Sequence, residues 1–141
     1  MGPYQSYRDM NHASYMGKFT STPKKEFLEF IRPQENGNHY NTEFAYVHDA
    51  NGAGVAVVME DAPFDFSAIP YEAHELGQYK HNFELPEPDK TVFSIDYKNS
   101  GLGSNSCGPL LLDKYRMNDK EFTFNVRIIP TDKLLRFPED I

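Results

Sequence analysis

Thr42-Glu43-Phe44-Ala45-Tyr46-Val47-His48-Asp49-Ala50-Asn51-Gly52-Ala53-Gly54-Val55-Ala56-Val57-Val58-Met59 is the stretch that decides the fold. Phe44, Tyr46 and His48 fall on one parity and Glu43, Ala45 and Val47 on the other, the period-two pattern of a strand. Asn51-Gly52 suits a tight hairpin because both residue types tolerate positive φ. Val55 to Met59 then returns apolar on both parities, as a strand covered on two faces at the centre of a sheet would.

The same period recurs outward from this hairpin. Phe64 and Phe66 alternate with Asp65 and Ser67, and Thr91 to Tyr97 places Phe93, Ile95 and Tyr97 together. Glu121 to Ile129 sets Phe122, Phe124, Val126 and Ile128 on one face; with Phe93 and Tyr97 this aromatic stripe reads as core. Phe27 to Ile31 is expected to be a further strand, ended by Pro33 before the turn Gln34 to Asn38. Only Glu72 to Gln78, closed by Gly77, has the composition of a short helix. The fold class is therefore all-β: an antiparallel β-sandwich with one or two short helices. Three parts are expected: residues 1–23 as a polar connector whose tyrosines lie along a surface, 24–130 as the sandwich, and 131–141 as a partly ordered tail.

A chain of 141 residues fits one domain, and 14% aromatic residues favour pleated surfaces. The net charge of -7 argues against nucleic acid and anionic membranes as partners. One cysteine, Cys107, leaves no intrachain disulfide and no cysteine-based zinc cluster. No run approaches the roughly eighteen apolar residues of a membrane span. The cytoplasm is the expected compartment, with the periplasm open, because a leader would belong to a preceding part of a longer protein.

Few residues suggest chemistry. Gly101 to Pro109 carries three glycines around Ser104, Asn105, Ser106 and Cys107, a composition suited either to a tight structural corner or to a loop reaching a pocket rim. Cys107 lacks a histidine in any cysteine-enzyme pattern, since His12, His39, His48, His74 and His81 are scattered. No histidines pair at metal-ligand spacing, and Glu60-Asp61 and Glu87 to Asp89 read as solvated turns. Gly101-x-Gly103 lacks the βαβ context of a dinucleotide loop. Glu35, between Gln34 and Asn36, reads as a cap on backbone amides sooner than as a catalytic acid.

Three segments together resemble a known family. They are Arg32-Pro33-Gln34-Glu35-Asn36-Gly37; Phe64-Asp65-Phe66-Ser67-Ala68-Ile69-Pro70-Tyr71 with Glu75-Leu76, His81 and Glu84-Leu85; and Asp96-Tyr97 with Gly101 to Pro109, Tyr115-Arg116 and Phe122-Thr123-Phe124. In order and spacing they resemble the C-terminal domain of glycoside hydrolase family 2 β-galactosidases, which is also the small subunit of two-chain versions. Gly2-Pro3 with Tyr7 and Asp9 is similar to the family's lead into this domain, although Gln5 replaces a usual Glu and Glu72 a frequent Thr. The resemblance implies a large sandwich packed beside a catalytic barrel, with both catalytic carboxylates outside this chain. It further implies that Gly103, Ser104, Asn105, Ser106 and Cys107 form a substrate-site rim. An aromatic residue lines the sugar site at or beside the Cys107 position in relatives; a thiol offers less stacking area. Galactoside as substrate, a homo-oligomeric parent, and magnesium with a monovalent cation in the parent but no cofactor in this chain are implied in the same way. A free-standing carbohydrate-binding sandwich and a separately encoded small subunit are the competing readings.

Overall fold

The computed structural model describes residues 1–103 and 108–141. Its strands are β1 (His39–Thr42), β2 (Phe44–His48), β3 (Ala53–Met59), β4 (Phe64–Ile69), β5 (Val92–Asp96) and β6 (Val126–Asp132), with single-turn helices α1 (Pro23–Glu26) and α2 (Ala73–Leu76). Two antiparallel three-stranded sheets result, ordered β1-β4-β5 and β2-β3-β6. The all-β sandwich expected from the sequence is the fold observed.

The decisive hairpin forms as read, with β3 central in its sheet and Phe44 to His48 paired against Val58 to Gly54. The Asp49 carboxylate closes the turn by accepting the amides of Asn51 at 2.8 Å and Ala53 at 3.0 Å. Gly52 takes φ +92°, and a Cβ there would sit 2.1 Å from the amide nitrogen of Leu134. Glycine is thus required both by backbone conformation and by the chain lying against it.

Ala45, Val57 and Phe64 are the buried centre of the gap between the sheets, with Met59, Phe66, Phe93, Ile95, Phe124 and Val126 packed around them. The opposite face of β2-β3, bearing Phe44, Tyr46, Ala56 and Val58, is covered by the end of the chain: Phe137 stacks on Phe44 at 4.6 Å and the Tyr46 hydroxyl donates to the Lys133 carbonyl.

Several sequence expectations are corrected. The Thr42 to His48 run is split, because Thr42 ends β1 and Glu43 bends before β2 begins. Phe27 to Ile31 is extended without being a strand: α1 precedes it, and the Asn36 side chain stands in for a neighbouring strand. Its Oδ1 accepts the Leu28 amide at 2.9 Å and its Nδ2 donates to the Leu28 carbonyl at 3.0 Å. Asn36, not Glu35, is therefore the residue of that turn with a capping role.

The expected strand Glu121 to Ile129 begins only at Val126 and runs on to Asp132. Its partner β3 ends at Met59, opposite Val126, so the preceding alternating residues have no ladder to join. Phe124 still packs on the core, but Phe122 is 54% exposed and lies flat on Tyr97 at 4.3 Å. Ile128, on the same face as Phe124 and Val126, pairs with Val57 yet is 63% exposed, because β6 is the edge of its sheet. Pro130 in β6 fits an edge position, where a missing donor is tolerated.

Candidate functional site

β4 has two chemically distinct faces. Phe64, fully buried, and Phe66, partly buried, point into the gap between the sheets, whereas Asp65 and Ser67, both buried, point away from it. On that second side Asn41, from the neighbouring strand β1, and Asn99 donate to Asp65, and Ser6, Arg8 and Asn38 extend the contacts into a polar seam.

Asp65 organises the seam. One carboxylate oxygen accepts the Asn41 amide at 3.2 Å and the other the Asn99 amide at 3.0 Å. Burial pushes the Asp65 carboxyl above its ordinary pKa, with the two amides and the charge of Arg8 pulling the other way. The Asn99 side chain donates to the Asn38 oxygen at 2.9 Å and to Asp96 at 3.3 Å, and Asn38 donates to the Ser6 carbonyl at 2.9 Å. Ser6 and Asn38 are themselves joined backbone to backbone at 2.7 Å. Asn41 adopts φ 57°, a conformation that asparagine tolerates better than most side chains.

The seam leads directly into the glycine-rich loop. The Arg8 side chain donates to the Asn99 carbonyl at 3.0 Å, and Asp9 receives the amides of Leu102 at 2.8 Å and Gly103 at 3.0 Å. Gly101 donates to the Tyr115 carbonyl at 2.9 Å, and the Ser100 hydroxyl accepts the Met117 amide at 3.1 Å. Of the expected rim residues, Gly103 is placed here, at the loop's root. Ser104, Asn105, Ser106 and Cys107 lie outside the described residues.

A second polar pair sits on β1. The His39 ring stacks on Phe66 at 4.9 Å, with Nε2 at 2.8 Å from Glu26 and Nδ1 at 3.2 Å from the Met1 carbonyl. Burial opposes ionisation of Glu26, but hydrogen bonds from His39 and Ser21 outweigh it and leave its pKa below the ordinary value.

Among the described residues no three His, Cys, Asp or Glu side chains gather as a metal site. The acidic pair Asp65 and Asp96 around Asn99 already spends both Asp65 oxygens on backbone amides, so it does not fit a cation. An open, mainly apolar depression lined by Val47, Asp49, Val55, Thr91 and Phe93 shares no residue with the loop. Sequence reading singled out the loop but not its anchors. Asp65 reads as the solvent-facing member of an alternating strand, and Asn99 carries no periodic signal at all; Asp9 entered only through the resemblance.

Fold and seam define a class: a small antiparallel β module in which an N-terminal segment is laid along one sheet and fixes the root of a glycine-rich loop. The comparisons place that module. The family described as Beta galactosidase small chain matches residues 1–128, and the chain belongs to that family. It is 42% identical over 135 residues to a beta-galactosidase of Actinobacillus pleuropneumoniae, covering 96% of this chain and 13% of that protein. Identity to a Staphylococcus xylosus beta-galactosidase is 38% over 130 residues, covering 91% of this chain and 13% of the relative. For a Kluyveromyces lactis beta-galactosidase the figures are 28% over 123 residues, 87% and 12%. The chain thus spans no more than 13% of the length of these curated relatives.

Proposed function

We propose that this chain is the C-terminal module of a retaining β-galactosidase of glycoside hydrolase family 2, and that it shapes the mouth of an active site built by a catalytic barrel elsewhere in the enzyme. The carrying observation is the family match over residues 1–128 in a chain that spans so little of each relative. Surface area supports it. The chain exposes 9494 Å² at 16.2 kDa, whereas an independent globule of that mass would expose about 7,500 Å². The surplus of about 2,000 Å² is the size of a substantial interface. Apolar side chains contribute to it, with Ile31 98%, Phe83 84% and Ile128 63% exposed.

In this reading residues 1–23 are the connector, and Gly103, Ser104, Asn105, Ser106 and Cys107 form the rim over the galactoside. Two carboxyl groups about 5 Å apart, outside this chain, carry the chemistry. Magnesium and a monovalent cation are likewise held by the rest of a homo-oligomeric, cytoplasmic enzyme, and the isolated chain is inactive. The family's description as a small chain favours one second reading: a separately encoded subunit that gains activity on mixing with its large partner.

The test is to assay the full-length protein on a β-linked galactoside while following the anomer released by NMR. Hydrolysis with retention is expected; inversion, no cleavage, or cleavage by the 141-residue chain alone would overturn the reading. Within that enzyme Cys107→Ala should cost less than a hundredfold in kcat/KM, about 2.7 kcal/mol, because a thiol supplies shape more than binding energy.

A further inference from the structure

We propose that Asp9 is a positioning residue for the rim loop, setting where its first residues stand over the substrate; this rests on the β-galactosidase reading above. Three features of the structure support it. The Asp9 carboxylate takes two successive backbone amides, Leu102 through Oδ1 at 2.8 Å and Gly103 through Oδ2 at 3.0 Å. Such charge-assisted pairs fix direction as well as distance. Second, a Cβ at Gly101 would lie 2.6 Å from the Asp9 Cγ and 2.7 Å from each oxygen, so the grip depends on glycine there. Third, Asp9 is held rigidly itself. Tyr7 and Met10 exchange backbone hydrogen bonds of 2.8 and 3.0 Å across a tight turn, and the Asn11 side chain donates to the carbonyls of Tyr7 and Arg8. Arg8 and Asp9 form the tip of that turn, and Arg8 donates to the Asn99 carbonyl just before the loop. One turn therefore grips the loop's N-terminal arm at two points, Asn99 and Leu102-Gly103.

Asp9 touches the loop's backbone and acts only through it, so its loss should appear in substrate affinity more than in the chemical step. In the full-length enzyme Asp9→Ala is expected to raise KM for a β-galactoside about tenfold with kcat within threefold, and to move the melting temperature little. Asp9→Asn, which keeps one acceptor oxygen, should fall between; should Asp9→Ala prove insoluble, this variant carries the test. Gly101→Ala should reproduce the loss by displacing the carboxylate. Combined with Asp9→Ala it should add nothing, since the crowded partner is gone. KM within twofold of wild type for Asp9→Ala and Asp9→Asn, or a lower melting temperature with unchanged KM, would overturn the proposal while leaving the β-galactosidase reading intact. A wild-type enzyme that cleaves no galactoside would instead sink that reading, and the role of Asp9 with it.

Discussion

The gap between the sheets and the seam behind β4 are opposite in chemistry, although alternate residues of one strand supply both. Phe64 and Phe66 enter a gap filled by Ala45, Val57, Phe93 and Ile95, held by burial that is indifferent to direction. Asp65, one residue along, is also buried but spends its oxygens on Asn41 and Asn99. Apolar contacts tell the chain to fold; directed hydrogen bonds tell it where to hold a loop. A change in the gap should therefore loosen everything, and a change in the seam should displace the root of Gly101 to Gly103 in particular.

Phe64→Ala should have the largest effect. The ring is fully buried at the centre of the gap, and phenylalanine truncations of this kind cost about 3–5 kcal/mol. Denaturant unfolding would check it, and a loss under about 1 kcal/mol would mean that the two sheets are not packed through this ring. Asp65→Ala comes next, at about 2–3 kcal/mol, because it strands the two amides that Asp65 now satisfies. Here the sharper measurement is amide exchange, which should rise first at Asn41 and Asn99; a uniform rise across the sheets would erase the distinction between gap and seam.

Glu26→Gln is the smallest, about 1 kcal/mol at neutral pH, through the weakened hydrogen bond to His39. Its pH dependence carries the information. The folded pKa of Glu26 lies below the ordinary 4.5, so its contribution is present above that value and is lost as pH falls through the folded one. Asp65 has a raised folded pKa and so the opposite sign: its titration favours the folded chain below the ordinary 3.8 and ceases to do so as pH rises through the folded value. Glu26→Gln should accordingly flatten the acid limb of the stability curve. An acid limb left unchanged or made steeper in that variant would show that the His39 contact does not hold Glu26 ionised.

The sequence discloses the gap far better than the seam. Alternation at Phe44 to His48, at Phe64 to Phe66 and at Phe93 to Ile95, together with Asn51-Gly52, suffices for the hairpin, the central β3 and the all-β class. Where alternation misleads, at Glu121 to Asn125, the pattern is real but β3 has already ended, and periodicity carries no information about a missing partner. Phe27 to Ile31 fails for a related reason, since an asparagine side chain occupies the place of a neighbouring strand. Seam residues are polar, non-periodic and distant in sequence: Asp9 and Gly103 are joined across 94 positions. Only folding makes such a set visible. The loop itself was legible from its glycines, whereas the residues that anchor it were not.

Gly52 ties the hairpin to the chain's last segment, and the tie has a cost in mutational tolerance. Any side chain there would wedge Lys133 and Leu134 outward, and with them the cover that Phe137 gives to Phe44. Water would then reach Ala56 and Val58, and bared strands of that composition stick to their own kind. A single-base change at this codon would thus surface as insoluble, rapidly degraded polypeptide, with every residue of the loop and its anchors still intact.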